Sequence, residues 1–410
     1  MELSAVQQCP QCGGECELSE ASRLFVCSYC GVRLVRTNEV PRLLLPCKHQ
    51  GEQLIWAPYL RLKGTIFTCH NKGLSHQVVD TTMAATQLNI LAPSLGYRAQ
   101  AMTLRHPARN EEGLFLNPTL SVDQALARQA KLARIRGGHD AQQEWIGETA
   151  SLIYLPLTIS NNTLHDGVNG DALAQLPEEG HDTFSSSQGQ QGHDFSLTLL
   201  SSLCPSCGWD LECAEQSVIL FCPNCATAWQ SAEHGLEQVT YQVRPAKDND
   251  SIHLPFWRHE MRISGVKLES YADFIRLTNI PKVIKPQWEE EKMAFYCPAF
   301  RLPPKAFIRL ASQLTAAQLL LSSRQSEQLG WRRLTPATLP AGEAAEAGKV
   351  TLAASSVARD NILPLIKEIK LRPTSHTLVL LPFYDNGYEL CQEEVAITIN
   401  KKSLALGKKL

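Results

Sequence analysis

Two stretches of four cysteines decide how this chain folds: Cys9-Pro-Gln-Cys12-Gly with Cys27-Ser-Tyr-Cys30-Gly, and Cys204-Pro-Ser-Cys207-Gly with Cys222-Pro-Asn-Cys225. In both, fourteen residues separate the two Cys-x-x-Cys pairs. Such a pair places two sulfurs on one side of a tight knuckle, and two facing knuckles present four thiolates as a tetrahedron. We therefore predict two structural Zn²⁺ sites, with ligands Cys9, Cys12, Cys27 and Cys30, and Cys204, Cys207, Cys222 and Cys225.

Both stretches resemble zinc ribbons, the small three-stranded modules of transcription factors, RNA polymerase subunits, topoisomerase tails and many bacterial proteins. The resemblance covers 22 residues in each half. It implies a rigid, metal-bound platform, because four cysteine ligands leave no coordination position open for catalysis. It does not by itself imply nucleic-acid binding. Iron in a rubredoxin-type site is the rival metal, and the short gap between knuckles and the lack of a rubredoxin-like aromatic cluster favour zinc.

Length and composition describe an ordinary globular protein. With 410 residues, 44% hydrophobic and 20% charged, the chain has room for two or three domains. A formal charge of -2 argues against a protein whose main task is to grip phosphate backbones. There is no secretory signal pattern and no apolar run of the ~18 to 20 residues that cross a bilayer. Because metal-binding thiolates must stay reduced, we expect a cytoplasmic protein without direct membrane insertion.

The sequence after each cysteine stretch predicts an internal duplication. Apolar-Pro-apolar signatures recur in the same order, around Pro58, Pro93 and Pro156 and around Pro255, Pro298 and Pro382. Each signature predicts a short buried strand that ends or kinks at its proline. Helical patterns fill the gaps at 121–135, 268–277, 314–325 and 357–369.

These patterns predict an α+β fold with two zinc ribbons, each followed by a small mixed α/β domain related to the other by duplication. The predicted boundaries are a ribbon at 1–40, an α+β domain at 41–176, a flexible linker at 177–198, a second ribbon at 199–235 and a second α+β domain at 236–410. The composition of 336–349 predicts a mobile surface loop.

Other cysteines and histidines offer weaker candidates. Cys16 and Cys213 follow the first knuckle of each stretch and are interpreted as small buried thiols or as reactive ones. Two thiols and two imidazoles can form a third metal site, although their spacing matches no common knuckle; they are Cys47, His49, Cys69 and His70. Histidine-aspartate pairs begin at His139, His165, His181 and His193, where the surrounding residues predict solvated loops.

No catalytic or cofactor-binding residue can be nominated, since no phosphate-binding glycine loop or nucleophile elbow is present. We expect a non-catalytic zinc-binding adaptor or structural subunit of a larger protein assembly, of open oligomeric state. An enzyme or redox protein with an unrecognised site is a further hypothesis. The predicted contact surfaces are the ribbon tips and aromatic strand ends at Trp56, Tyr59, Phe256 and Trp257.

The alternative is a nucleic-acid-binding zinc-ribbon protein. It draws on a locally basic stretch in which single-stranded nucleic acid can stack and track. That stretch comprises Tyr97, Arg98, Arg105, Arg109, Arg128, Lys131, Arg134 and Arg136. The competing interpretation is a solvated helix face balanced by Glu111, Glu112 and Glu144.

Overall fold

The computed structural model describes residues 3–37, 40–49, 51–70, 73–86, 88–122, 124–125, 127–128, 142–176, 189–190, 195–232, 235–246, 250–319, 333–357 and 362–407. Strands dominate these ranges and helices are few, which confirms the α+β class. Within them, every helix is too short or too polar to span a bilayer.

The first half is built almost entirely of strands. In chain order they are β1 Ser4–Gln8, β2 Glu15–Ser19, β3 Leu24–Val26, β4 Arg33–Arg36, β5 Arg42–Leu44, β6 Gln53–His70, β7 Gly73–Ala84, β8 Leu104–Arg105, β9 Leu114–Leu116, β10 Gln142–Ser160, β11 Thr163–Asp166, β12 Ala172–Gln175 and β13 Gly189–Gln190. A 3-10 helix spans Ala99–Ala101.

The second half combines strands with helices. Its strands are β14 Leu199–Ser201, β15 Ile219–Phe221, β16 Ala228–Ala232, β17 Gly235–Val239, β18 Tyr241–Val243, β19 Ile252–Ser264, β20 Ala294–Pro298, β21 Lys370–Asp385, β22 Glu389–Gln392 and β23 Ile397–Asn400. Its helices are α1 Tyr271–Thr278, α2 Pro304–Ala317, α3 Ala341–Ala345, α4 Ala347–Ser355 and α5 Lys401–Gly407, with 3-10 turns at Pro286–Glu289 and Leu365–Lys367.

Two long antiparallel ladders organise the halves. β6 pairs with β10 along almost its whole length, and β19 pairs with β21 in the same way. In the first sheet β7 and β9 flank β6, while β5, β8, β1 and β2 follow β10. In the second sheet β20 flanks β19, while β18 and β22 flank β21 and β23 pairs with β22. Successive residues of β6 face opposite cores, with Ile55 in one and Trp56 in the other.

The two ladders have the same register. Pro58 faces Tyr154 and Pro255 faces Leu380, and β5 and β18 lie parallel on the outer side of those partners. Three backbone hydrogen bonds of the first half have a counterpart in the second. Leu45 N–H to Tyr154 O corresponds to Arg244 N–H to Leu380 O, and Ala85 N–H to Pro58 O corresponds to Ala299 N–H to Pro255 O. In the same way, Thr119 N–H to Ala85 O corresponds to Thr338 N–H to Ala299 O. The two sheets therefore share connectivity as well as register.

Each strand was predicted to end or kink at its proline. An end is found at Pro298, the last residue of β20, but not at Pro58, Pro156, Pro255 and Pro382, which lie inside β6, β10, β19 and β21. The carbonyl of Pro58 accepts its hydrogen bond from Ala85, on the side away from β10. The nitrogen of Pro58 faces that same side. On this side β6 pairs with β9 up to Trp56 and with β7 from Tyr59, so no strand of the described residues lies opposite Pro58 to accept a backbone hydrogen bond.

The middle pair of signatures is also matched wrongly. Tyr59 faces Ala84 where Phe256 faces Pro298, so the counterpart of Pro298 is Ala84 and not Pro93. Pro93 lies in the segment after β7, where its carbonyl accepts a hydrogen bond from Ala84. The segments around Pro93 and Pro298 are therefore similar in sequence but lie at different positions relative to their sheets.

One predicted helix is confirmed: α1 begins after Ser270, whose hydroxyl forms a capping box with Asp273. The helix predicted at 314–325 is wrong in its limits, because α2 begins at Pro304 and ends at Ala317, while residues 320–325 lie outside the described residues. Of the helix predicted at 357–369, residues 358–361 lie outside the described residues, residue 362 is helical and Leu365–Lys367 form a 3-10 turn. The helix predicted at 121–135 lies mostly outside the described residues. Within this range residues 122, 124–125 and 127–128 are described as helical.

The prediction of a mobile loop at 336–349 is wrong. This segment contains α3 and the start of α4, and its alanines Ala341, Ala344 and Ala347 are buried in the core of the second half. Alanine is the strongest helix former and its small side chain allows helices to approach closely. A composition that resembles a loop therefore encodes a tightly packed helix pair.

The two cysteine modules, residues 3–37 and 199–239, contact each other. β14, from the second module, pairs with β4 of the first, so that β3, β4 and β14 form one sheet. The N–H groups of Arg23 and Leu24 both donate to the carbonyl of Glu215, and the Ser22 hydroxyl donates to its carboxylate at 2.6 Å. The metal groups therefore belong to one connected unit.

The halves also meet along the far end of the first ladder. Phe67 and Ile146 pack into the core of the second half. The Gly147 N–H donates to Glu343 Oε2 at 2.9 Å, and Lys349 Nζ lies 2.9 Å from Glu144 Oε1. Within the predicted linker, β13 pairs with β9. The first ladder therefore bridges both halves.

Candidate metal centres

The four Cys-x-x-Cys knuckles share one backbone arrangement. The carbonyl of each leading cysteine accepts a hydrogen bond from the N–H four residues on, and its N–H donates to the carbonyl five residues on. The donors four residues on are Gly13, Gly31, Gly208 and Ala226, at N···O distances of 2.9, 3.0, 2.8 and 3.0 Å. These two bonds curl each turn around its pair of sulfurs, as the cysteine spacing predicts.

One knuckle carries backbone strain that the others avoid. The residue four after the leading cysteine has φ of +74° at Gly13, Gly31 and Gly208, and of +53° at Ala226. Glycine adopts this left-handed region freely, whereas the Cβ of alanine approaches the following carbonyl oxygen. The knuckle that contains Ala226 is therefore the strained member of the set.

The sulfur atoms of each group converge. The closest approaches are 3.8 Å for Cys9–Cys30, 3.6 Å for Cys12–Cys27, 3.6 Å for Cys204–Cys225 and 3.4 Å for Cys207–Cys222. Within each group all four sulfurs lie within 4.8 Å of one another. Four sulfurs at about 2.3 Å from a tetrahedral Zn²⁺ lie about 3.8 Å apart, so both groups fit such an ion.

Backbone donors prepare the sulfurs for a cation. The N–H groups of Cys30 and Tyr29 point at Cys27 Sγ from 3.5 and 3.4 Å. The bond from Cys30 is the main reason why the pKa of Cys27 falls to about 6. In the second group the N–H of Cys225 points at Cys222 Sγ from 3.5 Å, yet burial raises the pKa of Cys222 to about 12. Thiolates are the form that binds metal, and four of them close the coordination sphere.

Cys16 and Cys213 lie outside both groups and in different environments. Cys16 is buried behind the first group, with its Sγ 3.8 Å from Cys27 Sγ and 3.9 Å from the Gly14 carbonyl. Cys16 is seven residues after Cys9, and the residue seven after Cys204 is Leu211. Burial raises the pKa of Cys213 to about 11. The two extra cysteines are therefore not equivalent to each other.

The third metal site does not form among the described residues. Cys47 is exposed and donates to the carbonyl of His49 at 3.2 Å, whereas Cys69 is buried in β6. The side chain of His70 lies outside the described residues. Across the described ranges, the two four-cysteine groups alone bring three or more metal-ligating side chains together.

A buried contact between a thiol and an imidazole escaped the sequence reasoning. Cys297 Sγ lies 3.7 Å from His259 Nε2 and donates to the carbonyl of Ala344 at 3.3 Å. Burial raises the pKa of Cys297 far above its usual range and lowers that of His259 to about 3. Both groups are therefore neutral and inaccessible, as in a packed core and unlike a catalytic dyad. No local motif announces a contact between two residues 38 positions apart.

Only His165-Asp166, of the four histidine-aspartate pairs, lies among the described residues. The solvated-loop prediction is wrong for this pair, which belongs to β11. Asp166 is buried and accepts hydrogen bonds from the Tyr97 hydroxyl at 2.7 Å and the Val168 N–H at 2.8 Å. Its carboxylate therefore stabilises the turn that follows β11.

The described part of the basic stretch is partly neutralised. Arg105 forms an ion pair with Glu111 at 2.5 Å, and the Tyr97 hydroxyl is held by Asp166. Arg98 and Arg128 are exposed. Lys131, Arg134 and Arg136 lie outside the described residues.

The predicted aromatic contact surface is wrong. Trp56, Tyr59, Phe256 and Trp257 are at most 1% exposed. They are buried because β6 and β19 continue past their prolines as central strands, covered on both faces. Trp257, for example, donates its indole N–H to the carbonyl of Leu339 at 2.8 Å, inside the second core.

Two exposed aromatic residues lie on the knuckles. Tyr29, between Cys27 and Cys30, is 71% exposed, and Trp209, two residues after Cys207, is 57% exposed. The sequence does place both beside metal ligands, but nothing local distinguishes them from buried aromatics.

No family model, curated protein or solved structure is significantly similar to this chain. The sites themselves define the class: a protein with two four-cysteine groups, each of which can hold a metal ion. Within that class, this chain joins its two groups through one shared sheet and attaches them to two halves whose long antiparallel ladders have the same register.

Proposed function

We propose that this chain is a non-catalytic zinc protein of the cytoplasm that works as an adaptor or structural subunit by binding a protein partner. One observation carries the proposal: both metal groups are completed by four cysteine sulfurs, while aromatic side chains beside those ligands face solvent. Such an arrangement has no place for a substrate on the metal, yet it holds apolar groups rigidly at the surface.

Zinc is the proposed metal because sulfur ligands select soft or borderline ions over Mg²⁺ and Ca²⁺, and tetrahedral thiolate sites suit zinc. The metal would supply folding energy to modules that are too small to build a sufficient core. In the first module the small core consists largely of Cys9, Cys16, Leu18, Phe25 and Cys27, so that the ligands themselves are part of it.

The proposed contact surface consists of Tyr29 and Trp209. The Tyr29 ring lies against Gly14, where an added Cβ would be only 2.5 Å from the ring. The ring is therefore fixed on the knuckle while it remains exposed. Rigid Tyr and Trp side chains lose little entropy on binding and are enriched among residues that dominate protein interfaces.

We further propose that the two halves arose by duplication of one unit. The shared register of Pro58–Tyr154 and Pro255–Leu380, with its equivalent flanking hydrogen bonds, supports this history. Each unit would contain a cysteine module followed by a sheet, in agreement with the predicted domain order.

The test combines metal analysis with partner recovery from the source cell. Full-length tagged chain is purified under mild conditions and compared with a Tyr29→Ser, Trp209→Ser double variant. Tyr388→Ser, which changes an aromatic residue 85% exposed on the β21–β22 turn, is the matched control. We expect two zinc ions per chain in all three proteins. A stoichiometric protein partner should accompany wild type and control but be lost from the double variant.

Three results would contradict the proposal. The metal assignment fails if fewer than two zinc ions are bound or the cysteines are disulfide-linked. The adaptor role fails if wild type is recovered without a partner, or if the double variant retains it. Tight binding to single-stranded DNA or RNA that weakens steeply with salt would replace the adaptor with the nucleic-acid alternative.

A further inference from the structure

The second metal group has a hydroxyl beside its sulfurs. Thr227 lies five residues after Cys222 and directly before β16, and its carbonyl accepts the hydrogen bond from the Cys222 N–H at 2.8 Å. Its side chain turns back to the metal ligands: Thr227 Oγ1 lies 3.1 Å from Cys225 Sγ and 3.6 Å from Cys204 Sγ. The hydroxyl therefore contacts one sulfur from each knuckle of this group.

Trp229 sets the direction of the Thr227 proton. The indole Nε1–H of Trp229 donates to Thr227 Oγ1 at 2.8 Å, and an indole nitrogen can only donate. Because the oxygen accepts from Trp229, its own proton can point at sulfur. A thiolate can only accept, so in the metal-binding form the hydroxyl donates to Cys225 Sγ, the nearer of the two sulfurs.

Buried aromatic residues hold this arrangement in place. Trp229 lies in β16, is only 7% exposed, and belongs to a core cluster that contains Leu24 of the first module and Leu220 of the second. The buried Tyr241, in β18, donates its hydroxyl to the carbonyl of Ala226 at 2.7 Å. The end of this knuckle is therefore fixed by side chains of the strands that follow it.

The other three knuckles have no hydroxyl at the position of Thr227. The residues five after their leading cysteines are Gly14, Val32 and Trp209. In the first group the Cys16 thiol lies 3.8 Å from Cys27 Sγ, and a thiol is a weaker donor than a hydroxyl. The hydroxyl contact is thus a property of the second group and is not required by the knuckle itself.

We infer that Thr227 is a positioning residue of the second metal group: its hydroxyl, oriented by Trp229, fixes Cys225 and stabilises its thiolate. This inference rests on the proposed binding of zinc. Four thiolates around Zn²⁺ leave an excess of two negative charges, and hydrogen-bond donors to sulfur disperse that excess. Loss of a partner that orients a metal ligand typically lowers metal affinity by about 10- to 100-fold.

The test measures metal affinity and metal environment in the full chain. Competition with a chromophoric chelator gives the zinc affinities, and cadmium NMR of the cadmium-loaded chain gives one signal for each group. Thr227→Val should release one zinc ion about tenfold or more easily and shift one cadmium signal. Thr227→Ser retains the hydroxyl and should restore both properties. Thr240→Val, at an exposed threonine between β17 and β18, is the matched control and should change neither.

Trp229→Phe gives a second measurement, since it keeps an aromatic ring in the core but removes the N–H that orients the hydroxyl. It should shift the same cadmium signal by a smaller amount; if Thr227→Val does not fold, this variant decides, and unchanged signals overturn the inference. Wild-type zinc affinity or unmoved cadmium signals in Thr227→Val also overturn it. Equal losses in Thr227→Ser and Thr227→Val would assign the effect to packing of the methyl group instead. A wild-type chain with fewer than two bound metal ions would refute the proposed metal assignment, and this inference with it.

Discussion

Replacing Ala226 by glycine should stabilise the second metal group. Ala226 occupies the knuckle position at which Gly13, Gly31 and Gly208 stand, and it is held at φ +53°. A left-handed backbone costs a residue with a Cβ about 1–2 kcal/mol. Glycine removes that cost but loses about 0.4–1 kcal/mol more conformational entropy on folding. The net gain expected for Ala226→Gly is therefore about 0.5–1 kcal/mol.

The reciprocal change tests the same reasoning with opposite sign. A Cβ added at Gly31 meets no atom within 4 Å, so Gly31→Ala costs only backbone strain, again about 0.5–1 kcal/mol. Because metal binding is coupled to folding of the module, these energies appear as about two- to fivefold changes in zinc affinity.

Competition with a chromophoric zinc chelator measures both variants. We expect Ala226→Gly to retain one of its two zinc ions more tightly than wild type, and Gly31→Ala to release one more easily. Gly96→Ala, at a glycine without positive φ and with open space around it, is the control and should leave both affinities unchanged. Looser zinc in Ala226→Gly, or unchanged affinity in both knuckle variants, would refute the strain argument.

Three further predictions concern charge, pH and thiol chemistry. Glu20→Ala should lower the free energy of unfolding in urea by about 3 kcal/mol, since it leaves buried Arg61 short of a counter-charge; Asp250→Ala, which breaks an exposed pair with Arg333, should cost under about 1 kcal/mol. His259 is buried with a pKa lowered to about 3, so below pH ~6.5 only the unfolded chain gains its proton, and stability should fall by about 1.4 kcal/mol per pH unit towards pH 3; His259→Leu should flatten this slope relative to wild type, and parallel slopes would exclude the effect. A thiol reagent should label one exposed cysteine in the zinc-loaded protein, Cys47, whose pKa is raised by partial burial, and eight more after chelation; labelling of this first thiol that persists in Cys47→Ser would contradict this.

The metal groups were predictable because their chemistry is local. A Cys-x-x-Cys pair fixes its own knuckle through two backbone hydrogen bonds, and glycine at the left-handed position is visible in the sequence three times out of four. The structure brings together the same eight sulfurs that the spacing nominated. The α+β class was predictable from the presence of both strand and helix patterns, although the helices of the described residues lie mainly in the second half.

The rest depended on contacts that are distant in sequence. The sequence around Trp56 and Trp257 is typical of a strand end, which predicts exposed side chains. Both are buried because their strands, β6 and β19, are paired with neighbours on both sides. The composition of 336–349 is typical of a loop, and only its packing in the core of the second half shows that Ala341, Ala344 and Ala347 belong to helices. Likewise no local motif predicts that Arg36 lines a cavity, because residues distant in sequence form the wall of that cavity.

Because β14 pairs with β4, binding of a metal ion at one group should be coupled to binding at the other. When one ion orders its module, it also fixes a strand against which the other module folds, so the second ion should bind a partly prepared site. By linkage, loss of either ion should loosen the other by the same factor. The half-loaded chain should therefore be less populated than two independent sites would make it.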